Sequence, residues 1–180
     1  MSTREETKVA IERAIKAIQL RPSIADYTIR SSAHVGDTLK CTYTEGDWNL
    51  QMDLPEAVGG DGYAPSPGVF SRAALTGCLA IGLKMSACRF GIPIDAVTVD
   101  LEVDGDGRAD FGVDDVPPGY KEFRLKIDVV SAARAEVVSN LVDKALASSP
   151  LLDVFRRAQA VKVELAISEN VSTAAEREVH

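Results

Sequence analysis

From Pro67 to Phe90 the chain runs through Val69, Phe70, Leu75, Leu79, Ile81, Leu83, Met85 and Ala87 with little polar surface between them. Ser66 suits an N-cap, Pro67 a first helical position, and Gly91 followed by Ile92-Pro93 stops a helix. At 1.5 Å per residue such a helix is about 36 Å long. A helix that is apolar on nearly all sides is a buried one. This one exceeds what the core of a small monomer needs, so the segment predicts a central rod partly covered by a second subunit.

The flanking sequence predicts what packs on that rod. Residues 3 to 20 read as an amphipathic helix, with Val9, Ile11, Ile15 and Ile18 on one face and Arg4, Lys8, Glu12 and Lys16 on the other. Ser2 with Glu5, or Thr3 with Glu6, fits a capping box, and Arg21-Pro22 ends the segment. A short strand is expected over Asp26 to Ser32. Thr38 to Thr44 then alternates, with Leu39, Cys41 and Tyr43 inward, and a turn at Glu45-Gly46-Asp47 leads into a return strand with Trp48, Leu50, Met52 and Leu54 inward. Pro55 to Pro67 is a Gly/Pro-rich loop placed to shape the mouth of a site.

After the rod, Val97, Val99, Leu101 and Val103 predict a strand ended by a turn at Asp104-Gly105-Asp106-Gly107. The order of acidic residues there does not match a calcium-binding loop. Phe123, Leu125, Ile127 and Val129 predict another strand. Ser131 is placed to cap a helix over 132 to 147, and Ser149-Pro150 to open a second over 151 to 158. Val161, Val163, Leu165 and Ile167 predict a last strand, with polar sequence beyond Ser168. Strands that arrive in hairpins indicate an α+β fold with antiparallel sheets.

Composition narrows the function classes. A chain of 180 residues buries about two-thirds of its unfolded surface, so it needs neither disulfides nor a metal to fold. The net charge of −7, with no block of Lys and Arg, argues against nucleic acid. No continuous apolar run reaches the roughly 20 residues of a membrane span and the start MSTREETK lacks a secretory core, so the expected compartment is the cytoplasm. His34 and His180 show no zinc-ligand spacing. No cofactor and no metal are expected. An odd count of three cysteines, Cys41, Cys78 and Cys88, implies free thiols in a reducing compartment.

Of these, Cys78 sits in Leu75-Thr76-Gly77-Cys78-Leu79-Ala80, beside a glycine that invites close approach of another element. A mid-helix thiol gains little from the helix dipole, so activation requires a cation supplied by the fold. Arg72, about 600° away around the helix, points elsewhere. Cys88 lies about 15 Å along the axis from Cys78, too far for a disulfide. Cys41 and Cys88 read as core residues.

The run Gly59-Gly60-Asp61-Gly62, then Pro65-Ser66-Pro67, Ala73-Ala74-Leu75-Thr76-Gly77-Cys78 and Gly91-Ile92-Pro93 before a strand, resembles the OsmC/Ohr-like family. So does the late helix ending before Pro150, with a second helix and a last strand after it. The resemblance spans about Leu39 to Ile167. It implies an OsmC-like intertwined homodimer whose antiparallel sheets wrap the long central helices, with residues 1–22 as an N-terminal helical extension, 23–168 as the domain and 169–180 as a polar tail.

The resemblance also implies an activity, thiol-dependent reduction of organic hydroperoxides. One Cys on the central helix attacks the peroxide, a second before a Pro resolves the sulfenic acid, and an Arg and a Glu assist. Position by position, the attacking thiol falls on Cys78 and the resolving one on Ser149, which forms no disulfide. The Glu falls on Gly68 or Val69, and the Arg is open between Arg21 and Arg30. Two expectations follow. One is a one-Cys peroxidase of oxidative stress defence in which Cys78 is regenerated by an external thiol reductant. The other is a non-catalytic domain binding a small hydrophobic ligand or a protein in an inter-subunit pocket.

Overall fold

The computed structural model describes residues 3–168. The predicted tail 169–180 and the Ser2 cap lie outside them. The first helix, α1 (Arg4–Leu20), opens on a capping box in which Thr3 accepts from the Glu6 amide and Glu6 accepts from the Thr3 amide. A short 3₁₀ turn follows at Pro22–Ala25. The strand expected over 26–32 forms later and shorter, as β1 (Ser32–Val35). It pairs antiparallel with β2 (Cys41–Glu45), which pairs antiparallel with β3 (Trp48–Met52). β2 begins three residues later than expected because Thr38 closes a turn, its hydroxyl accepting from the Lys40 amide at 3.3 Å. Trp48, expected inward, is 74% exposed, and Leu54 lies past the end of β3.

The predicted rod is α2 (Pro67–Phe90), ended by Gly91 at φ 66°. Left-handed backbone of that kind is open to glycine at little steric cost. Among the described residues this one helix is long and apolar enough to cross a membrane by length and composition. It instead packs against a two-stranded antiparallel sheet of β4 (Ile94–Asp104) and β5 (Glu122–Ser131), on which Val97, Val99, Leu101, Phe123, Leu125, Ile127 and Val129 face inward. A four-residue helix, α3 (Gly107–Asp110), stands where the Asp/Gly turn was expected, with Asp106 as its cap and bound by both Arg108 and Lys121.

Two helices complete the layer. α4 (Ala135–Ala147) starts later than expected, because Ser131 does not cap it; the Ser131 hydroxyl donates to the Pro93 carbonyl and accepts from the Ala133 amide. α5 (Pro150–Arg156) follows, capped by Ser149. One core joins Leu83, Ala87, Ile94, Leu141 and Ala145, and a second joins Leu75, Leu79 and Leu152. Each fully buried leucine contributes about 2 kcal/mol.

In two places the chain leaves apolar surface uncovered where burial was expected. Only the stripe Leu75, Leu79, Leu83 and Ala87 of α2 is fully buried, while Ile81 is 63% exposed. The strand expected at 161–167 has no ladder partner among the described residues, and its Val163 is 85% exposed. The α+β class and antiparallel pairing are as the sequence predicts.

Candidate functional site

Helical periodicity divides α2 into two working faces. Leu75, Leu79, Leu83 and Ala87, spaced by four, enter the cores. Cys78, Ile81, Gly82, Met85, Ser86 and Arg89 follow the spacing i, i+3, i+4, i+7, i+8 and i+11 and line one wall of a cavity of about 420 Å³. The start of the α4–α5 junction forms another wall through Ala145, Ser148 and Ser149. Ile11 of α1 closes a third side. A Cβ built on Gly82 meets nothing within 4 Å. Mid-helix glycine costs about 0.5–1 kcal/mol relative to alanine, and here its missing side chain leaves the cavity floor open.

The half-buried Cys78 thiol lies 3.7 Å from the Ser149 hydroxyl, its hydrogen-bond partner among the described residues. Ser149 is 8% exposed, and its oxygen already accepts from the Leu152 amide at 3.3 Å as the cap of α5. A buried hydroxyl proton requires an acceptor. Either atom can be the donor in this pair: with the Leu152 amide on one lone pair, the Ser149 oxygen keeps a second lone pair for the thiol proton and a proton of its own for the sulfur. The two positions picked from sequence, 71 residues apart, are thus brought into contact.

Other expectations fare differently. The close approach invited by Gly77 does not occur among the described residues, where a Cβ there meets nothing within 4 Å. The loop from Pro55 contributes no residue to the Cys78 cavity. Instead it is gathered around Asp53, 2% exposed, whose carboxylate accepts from the amides of Leu54 (2.8 Å), Asp61 (3.0 Å) and Tyr63 (3.3 Å). Burial works to raise the Asp53 carboxyl, but those three N–H groups and nearby Lys40 outweigh it and hold it below the ordinary value. Gly60 is held against the Leu54 carbonyl, where a Cβ would sit 1.9 Å from that oxygen.

Cys41 and Cys88, expected in the core, are half-buried free thiols. At Gly68, one of the two positions onto which the assisting Glu falls, a Cβ would meet the Arg72 guanidinium at 3.0 Å. Arg72 there donates to the Tyr120 hydroxyl at 2.7 Å. Arg21 ends α1 and Arg30 lies on irregular chain, both exposed and neither bonded to Cys78. The cation that shares the Cys78 wall is Arg89, overlooked at the sequence level. Eleven residues turn a helix through about 1100°, within about 20° of a whole number of turns. That spacing was the available signal.

Residues 59–165 match the family model described as OsmC-like protein. The chain belongs to the OsmC-like family. The matched segment starts after the β1–β3 meander and leaves α1 outside it. An OsmC-like protein from Mycoplasma pneumoniae superposes with a TM-score of 0.61 at 14% identity, over 73% of this chain and 89% of that one. An OsmC-like protein of unknown function from Vibrio cholerae gives 0.56 at 9% identity, over 71% and 93%. An organic hydroperoxide resistance protein, OsmC, from Legionella pneumophila gives 0.50 at 23% identity, over 72% and 90%. At these identities the likeness establishes the OsmC-like fold. No curated protein sequence matches the chain significantly.

Proposed function

We propose that this OsmC-like protein is a one-Cys organic hydroperoxide reductase that acts through Cys78 as a homodimer. The observation that carries the reading is the Cys78 sulfur, facing an apolar cavity and in hydrogen-bond contact with the Ser149 hydroxyl. In the Legionella relative the name itself denotes resistance to organic hydroperoxides.

The chemistry follows from what the two side chains offer. The Cys78 thiol gives up its proton to water and the thiolate attacks the terminal oxygen of ROOH; the S–O bond forms, the O–O bond breaks, and the leaving alkoxide takes that proton back from water as ROH. Sulfur is oxidised to the sulfenic acid and the peroxide is reduced. The Ser149 O–H offsets part of the charge on the thiolate before attack and bonds the sulfenic acid after it. Ser149 has no thiol to condense with that acid. An external thiol therefore displaces water to give a mixed disulfide on Cys78, and a second external thiol releases the external disulfide and returns Cys78. Apolar walls favour the organic group of the substrate.

A second reading, a non-catalytic domain holding a small hydrophobic ligand, draws on one observation. Among the described residues no cationic side chain hydrogen-bonds Cys78. Consumption of cumene hydroperoxide in the presence of dithiothreitol separates the two. Turnover by the wild type that vanishes in Cys78→Ser supports the reductase; equal consumption by both proteins rejects it in favour of ligand binding.

A further inference from the structure

α1 lies outside the segment that the OsmC-like family model matches, yet it packs along α2 and supplies Ile11 to the Cys78 cavity. None of its side chains is fully buried. Its half-buried positions are Thr7, Lys8, Ile11 and Ile15, of which Thr7, Ile11 and Ile15 are spaced by four and form the stripe laid on α2. The helix is pinned at one end by Arg4, whose guanidinium donates to the Ile94 carbonyl at 2.8 Å and to the Asp95 carboxylate at 2.7 Å. Lys84 of α2 donates to the same Ile94 carbonyl at 2.7 Å, so α1, α2 and β4 meet at one backbone oxygen. This anchor fixes where Ile11 falls.

We infer that Ile11 is a specificity-determining residue: it sets how bulky an apolar molecule can reach Cys78. The cavity's roughly 420 Å³ lies near the small end of the roughly 300–1,000 Å³ usual for ligand sites. In so small a space one branched side chain decides what fits. Across it stand Ile81 and Met85, so the group selected by shape is the hydrocarbon part of the substrate rather than its peroxide. Because α1 adds nothing to either core, changes at Ile11 alter the wall without opening the fold. The inference rests on the hydroperoxide reading for its substrate class, organic hydroperoxides, and on geometry alone for its wall.

The test keeps those two apart by using reagents that need only a thiol. Rates of Cys78 alkylation by N-ethylmaleimide and by pyrenyl maleimide are followed on the resolved peptide in the full chain, with tert-butyl and cumene hydroperoxide consumption run in parallel. Ile11→Ala is expected to raise the bulky-to-small rate ratio by about tenfold, the lower end of what a methylene decides in an apolar pocket, and Ile11→Trp to lower it. The exposed Glu12→Ala leaves the ratio where it was. Opposite shifts for the two Ile11 variants cannot come from loss of folding, which would move both the same way. A ratio unchanged in both, or moved in one direction by both, overturns the inference. If the alkylation ratios shift as expected but no variant consumes hydroperoxide, the Ile11 wall stands and the reductase reading falls.

Discussion

Ser149 does two things with one hydroxyl. Its oxygen accepts the Leu152 amide and caps α5, and the same group meets the Cys78 sulfur at 3.7 Å. The cap is what the Ser-Pro dipeptide announces in sequence, and so was legible; the contact with Cys78 was reached only through resemblance, because no local pattern links positions 71 apart. Removing the hydroxyl in Ser149→Ala is expected to cost about 1 kcal/mol through the lost cap. Ser149→Cys places a thiol against Cys78. After hydroperoxide treatment it is expected to lose two hydrogens by mass and to resist thiol labelling at both positions, whereas persistence of two labelled thiols would show that the pair cannot close. Arg89 teaches the complementary lesson. It is visible in sequence once helical phase is counted from Cys78, eleven residues earlier on the same face.

Among the elements, those whose signal is periodic and local are legible: α1 with its Thr3–Glu6 box, α2 from Pro67 to its Gly91 stop, though the Ser66 hydroxyl makes no cap bond, and the β4 and β5 faces. The starts of β2 and α4 differ from expectation where one side chain, Thr38 or Ser131, redirects the boundary. Ser131 binds the Pro93 carbonyl across the fold instead of capping α4, a contact 38 residues long that no window of sequence contains. The loop before α2 reads as a loop from its glycines, while its organiser, Asp53, is silent for the same reason. Asp53 carries an acid-stability prediction. Its folded carboxyl is held below the ordinary 3.8, so its contribution is present above that value and is lost as pH falls through the lowered one. Urea midpoints of wild type should fall on acidification below the ordinary carboxyl value, and Asp53→Asn should fall less from a lower neutral value, since an amide presents N–H where acceptors are needed. Parallel acid profiles for the two proteins would contradict this.

At the scale of the whole molecule, the long apolar helix implied a partner, and the single chain leaves the kind of surface that implication requires. Ile81 and Met85 are exposed beside the cavity, and Val161, Val163, Leu165 and Ile167 alternate along a segment that has no ladder partner among the described residues. Unpaired strand edges with apolar side chains readily pair with another chain. Light scattering of the full chain is expected to give twice the 19.3 kDa of one chain; the mass of one chain would contradict the homodimer. The chemistry proposed for that assembly is tested most directly by treating reduced protein, without any external thiol, with one equivalent of cumene hydroperoxide and trapping the product with dimedone. The account predicts one cumyl alcohol formed per chain and one dimedone adduct, on Cys78. Unconsumed hydroperoxide with Cys78 still a free thiol, or an adduct confined to Cys41 or Cys88, would contradict it.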